Sequence, residues 1–165
     1  MPRALIGKPA VFISGPAACG KSTLTKQVTY RLSTAYFDAQ RDGDGSGPVL
    51  IPLRVTVIDM ADTIQKTKLG AEDDVLVEHI NKTFHRSKRI AKFLIEMRRR
   101  RLLLVMLDGI DEAADARDVL EPYISGTLAH EVFLCLAGRD NGIRKRELFS
   151  EFVKLHVRPL DTMQQ

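Results

Sequence analysis

Residues 15–23 of this chain run Gly15-Pro16-Ala17-Ala18-Cys19-Gly20-Lys21-Ser22-Thr23. The spacing fits G-x-x-x-x-G-K-[ST], a loop that cradles phosphate groups. The apolar run Ala10-Val11-Phe12-Ile13 precedes it, and Leu24, Val28 and Leu32 follow at helical spacing. A strand, a loop and a helix in that order are the context the pattern requires. The fixed positions should coincide by chance in on the order of one chain in a hundred of this length. Gly15 and Gly20 let the backbone fold back, so that successive N–H groups face one concavity. The N-terminus of the following helix adds partial positive charge. Lys21 has the reach for β- and γ-phosphates, and the Ser22 hydroxyl suits Mg²⁺. Residues Gly15 to Thr23 are therefore the candidate nucleotide-binding stretch.

Two positions inside the loop are unusual. Ala18 stands where a third glycine is common, and a positive φ there would strain it. Cys19 would lie beside phosphate, near Lys21 and a helix N-terminus, the kind of setting in which reactive thiols occur. Small residues of many kinds fit that slot, so redox sensitivity is the sharper of two readings of Cys19.

The chain has 165 residues, enough for one domain with a substantial core. Its 44% apolar and 28% charged residues are ordinary for a globular protein. The longest clean apolar run, Leu102 to Leu107, is far too short to span a bilayer. No secretory signal is evident at Met1 to Pro9. The two cysteines, Cys19 and Cys135, make no disulfide framework or metal cluster, so a reducing, cytoplasmic location is expected. Much of the net charge of +4 comes from Arg98-Arg99-Arg100-Arg101 and the basic residues before them. The bland reading is a solvated helix end, where cations suit the dipole. A nucleic-acid or acidic-lipid patch is the sharper one, and the scarcity of aromatics gives base stacking little support.

Residues 10–14 read as a buried strand and 21–34 as a helix. Tyr36 to Pro48 reads as a loop rich in turn residues. Its Asp-Gly-Asp-Gly-Ser-Gly stretch lacks the spacing and bidentate Glu of a calcium loop. Val49 to Ile58 reads as a second strand. Asp73 or Asp74 caps a helix carrying Leu76, Ile80 and Phe84. A break near Ser87 separates it from a stretch with Ile90, Ala91, Leu94 and Met97. Leu102 to Leu107 is a strand buried on both faces. Residues 113–122 read as a short helix ended by Pro122. Glu131 to Ala137 is another strand, Asn141 to Ser150 a short basic helix, and Phe152 to Val157 a last strand. Strands alternating with helices predict an α/β fold, a parallel sheet covered on both faces. Nucleotide would sit at the carboxyl ends of its strands.

Asp108-Gly109-Ile110-Asp111-Glu112 follows the third strand directly. An Asp at a strand end can hold Mg²⁺ opposite Ser22, and a later acid can polarise a water for attack on a γ-phosphate. Asp111 and Glu112 are both candidates for that acid. Acids after a strand also cap helices, so this cluster gains weight only beside the loop at 15–23. Arg139, in Ala137-Gly138-Arg139-Asp140, would face the γ-phosphate if its strand lies between the first and third. Its plainer reading is a surface pairing with Asp140 or solvent.

Together these pieces resemble the NACHT domain, a branch of the STAND class of P-loop NTPases found in NLR-type receptors. Lys8-Pro9 through Thr25 looks like the family's strand, Walker A loop and helix start. Ile51-Pro52-Leu53-Arg54-Val55 looks like its second strand. The most specific match is Leu103 to Ala113, an extended Walker B with a small residue and two acids after Asp108. Phe133 to Arg139 looks like the sensor-1 strand, and Val157-Arg158-Pro159-Leu160-Asp161 like the exit from the core.

The resemblance implies a P-loop NTPase three-layer sandwich with a five-stranded parallel sheet of order 5-1-4-3-2. It implies an ATP/ADP switch with slow, Mg²⁺-dependent hydrolysis. It places Lys21 and Ser22 on phosphate and Mg²⁺, Asp108 on Mg²⁺, Asp111 and Glu112 at the hydrolytic water, and Arg139 at the γ-phosphate. Self-association through the NTPase domain is implied as well. Ala18, Cys19 and Asp140 depart from the family's usual residues. Residues 1–165 are expected to be a single domain, without the family's helical and winged-helix neighbours. Two other classes fit parts of the sequence: a small-molecule P-loop kinase, which lacks a convincing arginine-rich lid, and a non-hydrolysing interaction module built on Arg98 to Arg101.

Overall fold

A computed structural model of the chain describes residues 10–43, 50–70, 72–139, 141 and 143–158. A five-stranded parallel sheet forms its centre, in the order β2-β3-β4-β1-β5, which is the expected 5-1-4-3-2 read from the other edge. The strands are β1 (Val11–Ser14), β2 (Ile51–Thr56), β3 (Leu103–Asp108), β4 (Phe133–Gly138) and β5 (Val153–His156). The helices are α1 (Lys21–Asp42), α2 (Val57–Thr67), α3 (Val75–Thr83), α4 (Lys88–Arg99), α5 (Arg117–Tyr123) and the short α6 (Ala129–Glu131).

The interior strands are apolar at successive positions because both faces of a parallel sheet are covered. Leu103, Val105 and Leu107 point into the larger core with Leu134 and Leu136. Met106 and Cys135 alternate onto the opposite face with Ile13 and Ala137. Burial pushes the Cys135 thiol up to about 11, so it packs as a small neutral group. On that second face α1 lies over β2, β3 and β4. An apolar hollow of about 350 Å³ opens there, toward the amino ends of β1 and β4, lined by Ala10, Val28, Val132, Phe133 and Leu155. The edge strand β5 is the least covered, with Val153 and Leu155 roughly half exposed. It is tied to β1 at both ends, by Val153 N–H to Ala10 O and Val157 N–H to Ser14 O, each at 2.8 Å.

Several boundaries differ from the sequence reading. The first helix does not end at residue 34 but runs to Asp42, where Gly43 takes a φ of 70° and donates to Ala39 O. The loop expected at Tyr36 to Pro48 thus begins as helix; of the discounted calcium stretch, Asp42 and Gly43 belong to the helix end, and the rest lies in residues 44–49, outside the described residues. The second strand is shorter than Val49 to Ile58. At Thr56 the chain turns directly into α2, because the Thr56 hydroxyl accepts the Asp59 N–H and donates to the Asp59 carboxylate. Asp74, not Asp73, caps α3 by accepting from Val77 N–H at 3.1 Å, and Ser87 separates α3 from α4 as expected. Asn141 to Ser150 forms only a 3-10 turn, Arg146–Phe149. Lys8-Pro9 and Pro159 to Asp161, quoted for the family resemblance, lie outside the described residues.

Pro122 does not end its helix. The chain enters through two 3-10 turns, passes Pro122, widens into a π turn at Ile124–Leu128 and continues to Glu131. Leu120, Tyr123, Ile124 and Leu128 are all buried, and that burial outweighs the missing N–H. The Ser125 hydroxyl takes up the Glu121 carbonyl at 3.0 Å. The Glu121 side chain, 1% exposed, accepts the backbone N–H groups of Arg144 and Lys145 at 2.9 Å each. A buried carboxylate thereby fixes the loop that follows β4.

The arginine run is not a uniformly solvated helix end. Arg98 is 7% exposed and bridges the carboxylates of Asp74 and Glu131. Tyr123 joins them, donating to Asp74 at 3.0 Å and accepting from Leu76 N–H at 3.1 Å. Arg101 has a φ of 56° and closes α4 where glycine is usual, with Arg101 N–H to Arg98 O and Leu102 N–H to Met97 O. We expect Arg98→Ala to cost about 1–3 kcal/mol in urea denaturation, because it removes a buried guanidinium that joins two half-exposed carboxylates from different segments. Exposed Arg99→Ala should stay within about 0.5 kcal/mol of the parent.

Candidate functional site

Register brings the expected residues to one edge of the sheet. Ser14 pairs with Gly138, and Asp108 pairs with Ala137. The loop after β1, the acidic turn after β3 and Arg139 after β4 therefore leave the sheet side by side. β4 lies between β1 and β3, which is the condition for Arg139 to face a bound γ-phosphate.

The loop from Gly15 to Gly20 is tightly backed. A side chain at Gly15 would place its Cβ 2.7 Å from Val157 O and 2.8 Å from Cys19 Sγ. Gly20 has a φ of 92° and opens α1. Ala18 takes a φ of 59°, the strained conformation that its position suggested. Pro16, Ala17, Ala18, Ser22 and Thr23 are exposed, while Cys19 is 5% exposed beneath the loop. The Lys21 ammonium folds back over the loop, donating to Gly15 O at 2.9 Å and Pro16 O at 2.6 Å, with Cys19 Sγ at 3.5 Å. Those carbonyls hold the cation at the mouth of the concavity that a phosphate would enter.

The Ser22 hydroxyl donates to Asp108 Oδ1 at 3.1 Å. An alcohol and a carboxylate are the hard oxygen donors that Mg²⁺ accepts from a protein when phosphates and water complete its shell. The pair fits that ion, and the Asp108 residue is only 7% exposed. The second carboxylate oxygen is already engaged: Arg54 Nη2 lies 2.5 Å from Asp108 Oδ2. Arg54 Nε also reaches Thr25 Oγ1 at 3.3 Å, and Thr25 donates to Ser22 O at 3.0 Å. Neither Arg54 nor Thr25 was singled out from the sequence. The available signal was an arginine inside an otherwise apolar strand, which demands a partner.

The acidic turn is held by two glycines. Gly109 has a φ of 86° and donates to Ala137 O at 2.9 Å. Gly138 faces Ile110 so closely that a Cβ there would sit 2.5 Å from Ile110 Cγ2. The two acids of the turn differ. Asp111 is clamped by Arg139, whose Nε lies 3.1 Å from Oδ2 and whose backbone N–H donates to Oδ1 at 3.2 Å. Arg117, also missed by the sequence reading, donates to the Asp111 carbonyl at 2.8 Å from below. The Glu112 side chain is exposed, and no hydrogen-bond partner for it occurs among the described residues. The Arg139 side chain remains 61% exposed. It pairs with Asp111; Asp140, the partner named in its plainer reading, lies outside the described residues.

A family model of the NACHT domain matches residues 9–165. The solved structure of the Aeropyrum pernix ORC1 protein in complex with DNA aligns with a TM-score of 0.55 at 15% identity, covering 96% of this chain and 41% of that one. The cytoplasmic domain of EssC aligns with a TM-score of 0.43 at 17% identity, covering 94% and 34%. This chain thus spans about two-fifths of the ORC1 chain's length, and the likeness at that identity is one of fold. No curated protein matches the chain. Among the described residues no helix is long and apolar enough to cross a membrane.

Ala18→Gly should relieve the positive φ, and we expect a gain of roughly 0.5–1 kcal/mol in thermal or urea unfolding, after the entropy that glycine adds to the unfolded chain. Gly138→Ala should act oppositely, costing about 1–3 kcal/mol as Ile110 is displaced. No loss of stability in Gly138→Ala would show that the acidic turn is not packed as described.

Proposed function

Because the chain belongs to the NACHT domain family, we propose that it is an ATP/ADP-dependent switch whose nucleotide-binding core hydrolyses ATP slowly. The family assignment makes it a nucleotide-binding P-loop NTPase; the switch and the slow turnover are our reading. The observation that carries it is the meeting of Ser22 and Asp108 at 3.1 Å beside the Lys21 ammonium. Their proximity supports a reading in which the loop takes a triphosphate and the acid its metal. We read residues 1–165 as a single nucleotide-binding unit.

In this reading the backbone N–H groups of residues 15–23 hold the phosphates and Lys21 leaves the loop carbonyls for the β- and γ-oxygens. Ser22 and Asp108 are the residues that would hold Mg²⁺, which when bound neutralises phosphate charge. In this reading Glu112 is the acid that accepts a proton from an attacking water, and Asp111 becomes available for the same role once Arg139 has left it. Arg139 exchanges Asp111 for the γ-phosphate when ATP is present and returns to it with ADP. That exchange is the switch, and it offers a reason for slow turnover, because the γ-phosphate must compete with a pairing already made. The ATP form is the one we expect to self-associate, and exposed Leu24, Val153 and Leu155 offer apolar surface for it.

Calorimetric titration of ADP and ATP, with and without Mg²⁺, tests the reading. Binding by the parent and its loss in Lys21→Ala supports it; equal binding by a folded Lys21→Ala overturns it. Glu112→Gln should keep ATP binding and lower turnover by about 10²–10⁴-fold, while unchanged turnover would remove Glu112 from the reaction.

A further inference from the structure

Asp108 is a nearly buried carboxylate whose two oxygens are divided between different partners. Oδ1 takes the Ser22 hydroxyl and Oδ2 takes the Arg54 guanidinium. Arg54 is itself fixed at a second point, Nε on Thr25 Oγ1, and Thr25 is wholly buried near the start of α1. The guanidinium therefore spans the gap between the end of β3 and the helix that carries Ser22. It determines both the orientation of the carboxylate and the net charge of the place where a divalent cation would sit.

From this geometry we propose that Arg54 is a positioning residue that makes the cation site conditional on nucleotide. The inference rests on the reading of Ser22 and Asp108 as that site. The argument is one of charge. A buried carboxylate with an adjacent hydroxyl and no counter-ion would attract free divalent cations. The Arg54 charge cancels that of Asp108. A cation arriving alone finds one shared oxygen and a hydroxyl, on a pair that carries no net negative charge. A cation arriving on a di- or triphosphate brings its own negative charge and ligands, and needs only the oxygen that Arg54 has turned toward Ser22. Arg54 thus suppresses loading by metal alone without giving up the oriented Oδ1.

The test is Mn²⁺ binding followed by electron paramagnetic resonance on the nucleotide-free chain, for the parent, Arg54→Gln, Arg54→Met and Arg54→Lys. Arg54→Met keeps an aliphatic stem for packing, Arg54→Lys keeps the charge, and circular dichroism reports folding. The expected result is Mn²⁺ binding at least about tenfold tighter in the Gln and Met variants than in the parent, with the Lys variant close to the parent. Adding Asp108→Asn to either neutral variant should abolish the gain. Unchanged Mn²⁺ binding in folded Gln and Met variants overturns the proposal. In that event, loss of metal-dependent nucleotide binding in the single variant Asp108→Asn would leave the underlying cation-site reading standing. A gain that survives Asp108→Asn overturns both, because the ion then sits elsewhere.

Discussion

Parallel pairing of β1, β4 and β3 in one register is the constraint on which the site depends. It places Ser14 beside Gly138 and Ala137 beside Asp108, so three loops distant in sequence emerge together. The pairing is held by the larger core, where Leu107, Leu136 and Ile110 are fully buried, and by the smaller cluster around Ile13 and Met106. Two close approaches then set the fine geometry. Gly138 admits Ile110 against the backbone of β4, and Gly15 admits Val157 and Cys19 against the loop. A sheet alone would bring the chain segments together, and these contacts determine how near they come.

The charges around the site are paired to a degree that bears on its chemistry. Asp108 meets Arg54, and Asp111 meets Arg139. Such pairs are economical in a partly buried place, where an isolated carboxylate would be expensive. They also give each acid a definite orientation before any ligand arrives. Preorganised groups need not rearrange during a reaction, but groups held by the wrong partner must first be released. Both descriptions apply here. Asp108 is oriented by its arginine, and Asp111 is occupied by its own. Elsewhere the same economy is structural: Arg98 joins Asp74 and Glu131, and Glu121 binds two backbone N–H groups.

Much of this was legible in the sequence because interior strands of a parallel sheet must be continuously apolar, and β1, β3 and β4 are. The loop spacing and the acids after β3 were legible because their chemistry fixes residue types at fixed intervals. The helix α2 was not, since Val55, Val57 and Ile58 carry a β-branched run smoothly across the strand end. Only Thr56 and Asp59 mark the turn, as a cap. The end of α1 hid ahead of a glycine-rich stretch, and the helix was read as ending eight residues too early, at 34 and not at Asp42. Pro122 misled because local propensity argued for a stop while buried side chains on either side argued for continuation. Arg117 and the partners of Arg54 were out of reach for a different reason. Their importance lies in who sits across from them, and one sequence holds no register.

The edge strand gives the loop an unexpected neighbour. Val157 donates its N–H to Ser14, and its carbonyl lies where a side chain at Gly15 would be. Ser14 also shares a hydrogen bond with His156 at 3.2 Å. The last residues of β5 and the first of the phosphate loop are thus mechanically one piece, on a strand otherwise little embedded in the core. Tension applied to the chain beyond Arg158 would act on the loop at short leverage, with little of the core in between to absorb it. Tightening of the loop on a ligand would be transmitted outward by the same linkage, as a displacement of the strand.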